Sequence, residues 1–218
     1  MDRLNRRKFL CAAAVGIPAL VASGARAQSP PGYVPNNWYP PTSAPVTSGA
    51  ALTVGRLYLR PVFIAQALTV HALAARVSTA SAGGNFQLAL YTNNSGVSPA
   101  INRPGTLVDH TGNISTGTIG EFSALLGANR SLKAGYYWTG HQCDNTVARF
   151  VSYNNTDPTA ASLLGSALAG SVVGKSTLVT GVHVGGVFGA WPIDISGMAI
   201  EDTAVDIAQV AFQVLSVP

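Results

Sequence analysis

Four histidines (His71, His110, His141 and His183) and one cysteine, Cys143, are the side chains of this 218-residue chain best suited to proton transfer, nucleophilic attack or metal binding. The histidines are scattered without the close spacing of a metal site, so no metal is expected. Asp109-His110 and His141 with Asp144 are the acid–histidine neighbours. A general base needs its partner at hydrogen-bond distance, which adjacency in sequence does not supply, so solvated loop pairs are the plainer reading. Cys143 stands two residues from His141; a thiol activated by that ring is one reading, and a small buried hydrophobe is the simpler one. No Gly-x-Ser-x-Gly elbow occurs. Gly170-Ser171-Val172-Val173-Gly174-Lys175-Ser176 imitates a phosphate-binding loop but has Ala169 where the first glycine belongs, so no nucleotide or other cofactor is expected. Glycosidase chemistry needs two carboxylates facing each other across a sugar, and no spacing here points to such a pair.

What recurs instead is polar equipment in turn-like contexts: Asn93, Asn94, Asn102, Asp109, Asn113, Asp144, Asn145, Asn154, Asn155 and Asp157, with a modest set of aromatics. Amides hydrogen-bond hydroxyls as donor and acceptor, and aromatic faces stack on the apolar face of a sugar ring. The residues singled out for ligand binding are Asn93, Asn94, Asp109, His110, Tyr137, His141, Asp144 and Asn145. Asn and Asp are equally the ordinary residues of turns. In Tyr136-Tyr137-Trp138, alternation along a strand lets only one of the last two enter a core, and the expectation is Tyr136 and Trp138 inward with Tyr137 outward.

The elements that must position these groups are strands. Beyond residue 50, short runs of β-branched and aromatic residues alternate with turn formers about every ten residues. The clearest runs are Leu52–Leu59, Ala67–Val77, Phe86–Tyr91, Thr106–His110, Tyr136–Gly140, Ala148–Tyr153 and Val205–Leu215. Phe86-Gln87-Leu88-Ala89-Leu90 and Val210-Ala211-Phe212-Gln213-Val214 put large apolar side chains at every second position, the mark of a strand with one buried face. Turns are expected at Ser81–Asn85, Asn93–Gly96, Arg103–Gly105 and Lys133–Gly135. No helix of three turns is expected, and Leu125–Leu132, with Gly127 and Asn129, reads as a loop or a single short turn. The fold class is all-β, an antiparallel β-sandwich of jelly-roll type with roughly eight strands.

The ends of the chain are different. Asn5-Arg6-Arg7-Lys8-Phe9-Leu10 leads into an uncharged run to Ala22 and then to Ala25-Arg26-Ala27. This segment resembles a twin-arginine secretory signal, with small residues at the −3 and −1 positions of a cleavage site. Its roughly 13 uncharged residues, broken by Gly16 and Pro18, are too few for the ~20 that span a bilayer, so no membrane span is expected. Five of the chain's 13 basic residues and one of its 9 acidic residues lie in this segment, which leaves eight of each and no net charge beyond it. The overall charge of +4 therefore belongs to the leader, and a nucleic-acid partner loses its support. Cys11 falls within the same segment, so Cys143 has no partner for an intramolecular disulfide. Residues 28–50 are rich in proline and read as a linker or arm, interrupted by Trp38-Tyr39, which must pack on the chain's own domain or on a neighbour. Residues 51–218 form the sandwich domain, with a glycine-rich excursion at 163–190 that packs within the chain or against another subunit.

Four stretches together resemble the β-sandwich modules of bacteriophage tail-fibre and receptor-binding proteins: Gly84-Asn85-Phe86-Gln87-Leu88-Ala89-Leu90-Tyr91-Thr92-Asn93-Asn94, Arg103-Pro104-Gly105-Thr106-Leu107-Val108, Gly112-Asn113-Ile114-Ser115-Thr116 and Leu132-Lys133-Ala134-Gly135-Tyr136-Tyr137-Trp138. The similarity covers about residues 52–155. It implies a noncatalytic recognition or structural module, often oligomeric, with glycans among its ligands, and it carries over no fixed binding residues. The combined expectation is an exported module, periplasmic or extracellular, that binds a surface glycan or a protein partner and forms a homo-oligomer such as a trimer. The alternative is a structural component, a virion fibre, decoration or surface-layer protein, whose arm and glycine-rich segment make subunit contacts. In that case the N-terminus would be retained in a particle as an attachment arm. A hydrolase built on the scattered histidines and acids is the third reading.

Overall fold

A computed structural model describes residues 32–40, 46–94, 103–153, 181–203 and 207–218. The leader at 1–27, most of the glycine-rich excursion and the start of the Val205–Leu215 run lie outside the described residues.

Fourteen strands follow one another with no helix among the described residues: β1 (Trp38–Tyr39), β2 (Val46–Ala51), β3 (Arg56–Ile64), β4 (Leu68–Thr79), β5 (Asn85–Asn94), β6 (Arg103–His110), β7 (Ile114–Ser115), β8 (Gly120–Leu132), β9 (Gly135–Cys143), β10 (Arg149–Tyr153), β11 (Gly181–Gly185), β12 (Glu201–Thr203), β13 (Ile207–Ala208) and β14 (Ala211–Ser216). They form two antiparallel sheets, and the molecule is a β-sandwich. Sheet A runs β1-β14-β4-β10-β13, with β8 on the other edge of β4 and β2 on β10. Sheet B runs β12-β11-β3-β9-β5-β6, with β7 on the end of β5.

Alternation builds the shared interior. From sheet B, Tyr58, Val62, Ile64, Phe86, Leu88, Leu90 and Cys143 point inward; from sheet A come Leu73, Val77, Phe150, Phe212 and Val214. Burying a side chain of this size is worth roughly 1.5–3 kcal/mol relative to leaving it in water, so this layer holds the sheets together.

Several sequence expectations shift. The first half of the Leu52–Leu59 run, residues 52–55, is the connection between β2, which ends at Ala51, and β3, which begins at Arg56. The run that ends at Leu215 is broken between β13 and β14. Arg103-Pro104-Gly105 opens β6 rather than forming a turn, and Asn93 and Asn94 extend β5. The Leu125–Leu132 stretch belongs to strand β8, paired with β4 on both sides of an irregularity, Leu68↔Leu132 to Val70↔Arg130 and Ala72↔Leu125 to Val77↔Gly120, with residues 126–129 unpaired to β4 between them. Gly127 and Asn129, weak strand formers, fall where the ladder is interrupted, and the pairing on either side carries the strand through. The Ser81–Asn85 turn is present, with Gly83 at φ 76°, in the left-handed region that glycine enters without strain.

Sheet B is also apolar on its outer face. Leu57, Leu59, Ala89, Tyr91, Trp138, Val182 and Val184 form a second cluster there, closed by Trp191 and Ile195 from the segment 186–200. This strap is stitched down by backbone hydrogen bonds, Leu107 N–H to Ile193 O (2.8 Å) and Ile195 N–H to Gly105 O (3.0 Å). Tyr91 Oη–H also donates to Pro192 O at 3.0 Å.

The two covered faces explain the tyrosine–tryptophan triplet. Trp138 is fully buried, but under the strap rather than between the sheets. Tyr137, expected outward, packs against the inter-sheet core, and Tyr136, expected inward, stands 36% exposed beside Phe63 on the outer face.

Candidate functional site

The acid–histidine pairs are not dyads. His141 is buried on the inner face of sheet B, with its ring edge-on to Phe86 and Phe150 at 5.5 and 4.4 Å between centroids. Neither ring nitrogen has a hydrogen-bond partner among the described residues. Burial drives its pKa down to about 3, so the ring is neutral at ordinary pH. Asp144 serves the backbone instead, accepting from Asn85 N–H (2.8 Å) and from the amides of Asn85 and Asn145 (3.1 and 2.9 Å). Burial raises its carboxyl, and these donors more than reverse that, leaving it below its usual value. Asn145 turns the chain after β9 by accepting from Ala148 N–H at 2.8 Å. Burial also pushes the Cys143 thiol up, which disfavours the reactive thiolate.

Asp109 is a buried strand residue rather than a solvated loop acid. Its carboxylate takes Arg130 Nε–H at 2.8 Å and the N–H groups of His110 and Ala128 at 2.8 and 3.0 Å. Burial raises its pKa, and these donors together bring it below the ordinary carboxylate value. Gly127 makes this possible, because a Cβ there would sit 3.1 Å from Asp109 Oδ1. His110 is exposed, stacks on Trp191 at 5.8 Å and has Nδ1 at 2.9 Å from Thr111 O.

The remaining candidates are similarly occupied. Asn93 accepts from the Trp138 indole N–H at 3.0 Å, and Tyr137 Oη accepts from Lys133 N–H at 3.2 Å. Asn94 pairs with Arg103 across β5 and β6. The structure therefore brings Asp144 and Asn145 together at one end of sheet B and Asn93 and Asn94 at the other, while Asp109 and His110 close β6 and His141 lies in the core. No common site joins them. Among the described residues, no group of three or more His, Cys, Asp and Glu side chains could hold a metal ion. No helix of the described residues is long and apolar enough to cross a membrane.

The open site lies on the outer face of sheet A. A groove of about 360 Å³ is bounded by Trp38, Ala74, Arg76, Glu121, Ser123 and Gln209, with Val151 and Ala211 completing the floor. Its shape follows from side-chain size. Ala211 on β14 pairs with Ala74 on β4, which pairs with Ser123 on β8, so three small residues lie abreast across the sheet. Larger residues rise on both sides. On one side Trp38 stands on β1, 39% exposed. On the other, Arg76 Nη1–H donates to Glu121 Oε1 at 3.1 Å, with both side chains largely in water. Trp38 is level with Gln213 and Ala72, four residues along β4 from Arg76, so the walls are offset across the sheet and by roughly 13 Å along the strands.

The N-terminal arm supplies the tryptophan wall and is held firmly. β1 pairs with β14, Trp38↔Gln213 and Tyr39↔Phe212. Asn36 N–H donates to Val214 O and Val214 N–H donates to Asn37 O (3.1 Å). Tyr39 stacks on Phe212 at 6.0 Å and meets Tyr33 edge-on at 4.8 Å, while its hydroxyl accepts from Val34 N–H at 2.7 Å. Alternation then sends Tyr39 toward the core and Trp38 outward. The Trp38-Tyr39 interruption of the proline-rich segment was the one sequence signal of this site. The alanine floor carried none, because its residues come from strands far apart in the chain.

Compared with known proteins, the chain matches no family model and no curated protein. The class it belongs to rests on its own architecture: an antiparallel β-sandwich with one covered outer face and one open, grooved outer face.

Proposed function

We propose that this protein is an exported, noncatalytic recognition module that binds a surface glycan through the groove of sheet A. The observation that carries this reading is the composition of that groove: an exposed indole on one wall, an exposed guanidinium–carboxylate pair on the other, a flanking amide and hydroxyl, and a small apolar floor. A saccharide ring has an apolar face and a rim of hydroxyls, and a concave surface with one aromatic and several convergent polar groups complements it. The absence of net charge beyond the leader fits a neutral ligand better than a polyanion. The leader-like sequence supports export, and the resemblance of residues 52–155 to tail-fibre modules supports recognition rather than turnover.

A glycan array probed with the full chain tests the reading. Retention of a defined glycan supports it, and a blank array overturns it. A second reading, a structural or assembly component, draws on the other face. Phe63 and Tyr136 stand as an exposed pair 4.9 Å apart on sheet B, and Val187 and Ile193 of the strap are also exposed. A trimeric mass by light scattering combined with a blank array would favour that reading.

A further inference from the structure

We infer that the groove takes a neutral hexopyranose with adjacent equatorial hydroxyls, its C–H face on Trp38 and its diol toward Arg76 and Glu121, so that the docked N-terminal arm completes the site. The inference rests on the recognition reading above and adds the ligand class and the role of the arm.

Three features point to a neutral sugar. Arg76 is already compensated by Glu121 at 3.1 Å, so an incoming carboxylate or sulfate would meet Glu121 as well as the guanidinium. Such like-charge juxtaposition selects against anionic ligands. A hydroxyl donates and accepts, and the Arg76–Glu121 pair presents a donor beside an acceptor, the pattern that two neighbouring hydroxyls satisfy together. Ser123 and Gln209 add further groups of both kinds on the same groove. The other determinant is the indole. The negative face of an aromatic ring attracts the axial C–H groups that an all-equatorial pyranose offers on its flat side. Ala74 and Ala211 leave room beside Trp38 for that side of the ring to descend.

The arm makes the site conditional. Trp38 reaches the groove only while β1 is paired with β14 and Tyr39 is seated on Phe212. A ligand that touches Trp38 binds the docked arm and not the undocked one, and so must favour docking by its own binding free energy.

Tryptophan fluorescence of the full chain gives the test, because Trp138 and Trp191 are buried and Trp38 alone of the three is substantially exposed. Methyl β-D-glucopyranoside should shift the emission and shield it from a soluble quencher, with saturation. Trp38→Ala should abolish the response, and Arg76→Gln should weaken binding roughly tenfold, the equivalent of about 1.4 kcal/mol. The corresponding methyl glucuronide should bind at least several-fold more weakly. Tyr39→Ala, which loosens the arm without touching the groove, should weaken binding while Trp38 is still present. A glycan retained on the array with equal affinity by wild type and Trp38→Ala would overturn this inference and leave the recognition reading standing. Tighter binding of the glucuronide would overturn the neutral-sugar assignment. A blank array with no fluorescence response would overturn both.

Discussion

The outer faces of the two sheets begin from the same backbone architecture and end differently. On sheet B, the outward positions carry Leu57, Leu59, Tyr91, Trp138 and Val182, and the strap closes over them with Trp191 and Ile195. On sheet A, the corresponding positions carry Ala74, Ala211 and Ser123, and no described segment crosses them. Large apolar side chains demand a cover, whereas small ones permit exposure at little cost. On the proposed reading the contrast separates stability from recognition: tryptophans on one face are buried in the fold, and the tryptophan on the other stands exposed at the groove.

Breaking the covered face should have the largest effect. Trp138→Ala removes a fully buried side chain and its hydrogen bond to Asn93, and should cost about 3–5 kcal/mol in urea unfolding. Acid should come next. His141 is neutral in the folded protein down to about pH 3 but protonates near 6.5 when unfolded, so the unfolded state binds more protons between those values. Its contribution is nil above about pH 6.5, and stability then falls as pH drops, by about 1.4 kcal/mol per unit once well below 6.5. The ring shares the inner face of sheet B with Tyr58, Arg60 and His183. His141→Phe should flatten the stability–pH profile between pH 6 and 4 by nearly one proton. Arg130→Met strands the Asp109 carboxylate, only 9% exposed, and should cost about 2–3 kcal/mol. On the open face, Trp38→Ala should cost less than about 1 kcal/mol of stability, and Glu121→Gln less than about 0.5 kcal/mol.

The covered face and the interior were partly legible in the sequence. The alternation in Val210–Val214 marks a one-sided strand, whereas Phe86–Leu90, read the same way, is buried on both faces, because Gln87 and Ala89 lie under the strap while Phe86, Leu88 and Leu90 enter the inter-sheet core. Strand β8 was not legible, because its solvent-facing positions include Ser123, Leu125, Gly127 and Asn129, and what makes it a strand is its pairing with β4 on either side of the unpaired residues 126–129. The candidate site was hardly legible at all. Asp144 and Asn145 satisfy backbone groups at a strand end, and Asn93 caps an indole; nothing in residue type separates these duties from ligand contacts. The groove depends on alanines, whose importance lies in what they leave empty, and that emerges only once β14, β4 and β8 lie side by side.

The most direct test of the contrast is a glycan array run in parallel on wild type, Trp38→Ala and Tyr136→Ala, one exposed aromatic from each outer face. If the groove of sheet A is the recognition surface, Trp38→Ala loses the retained glycan while Tyr136→Ala keeps it, both with wild-type urea midpoints. Loss in Tyr136→Ala with full retention in Trp38→Ala would contradict the account and move recognition to sheet B.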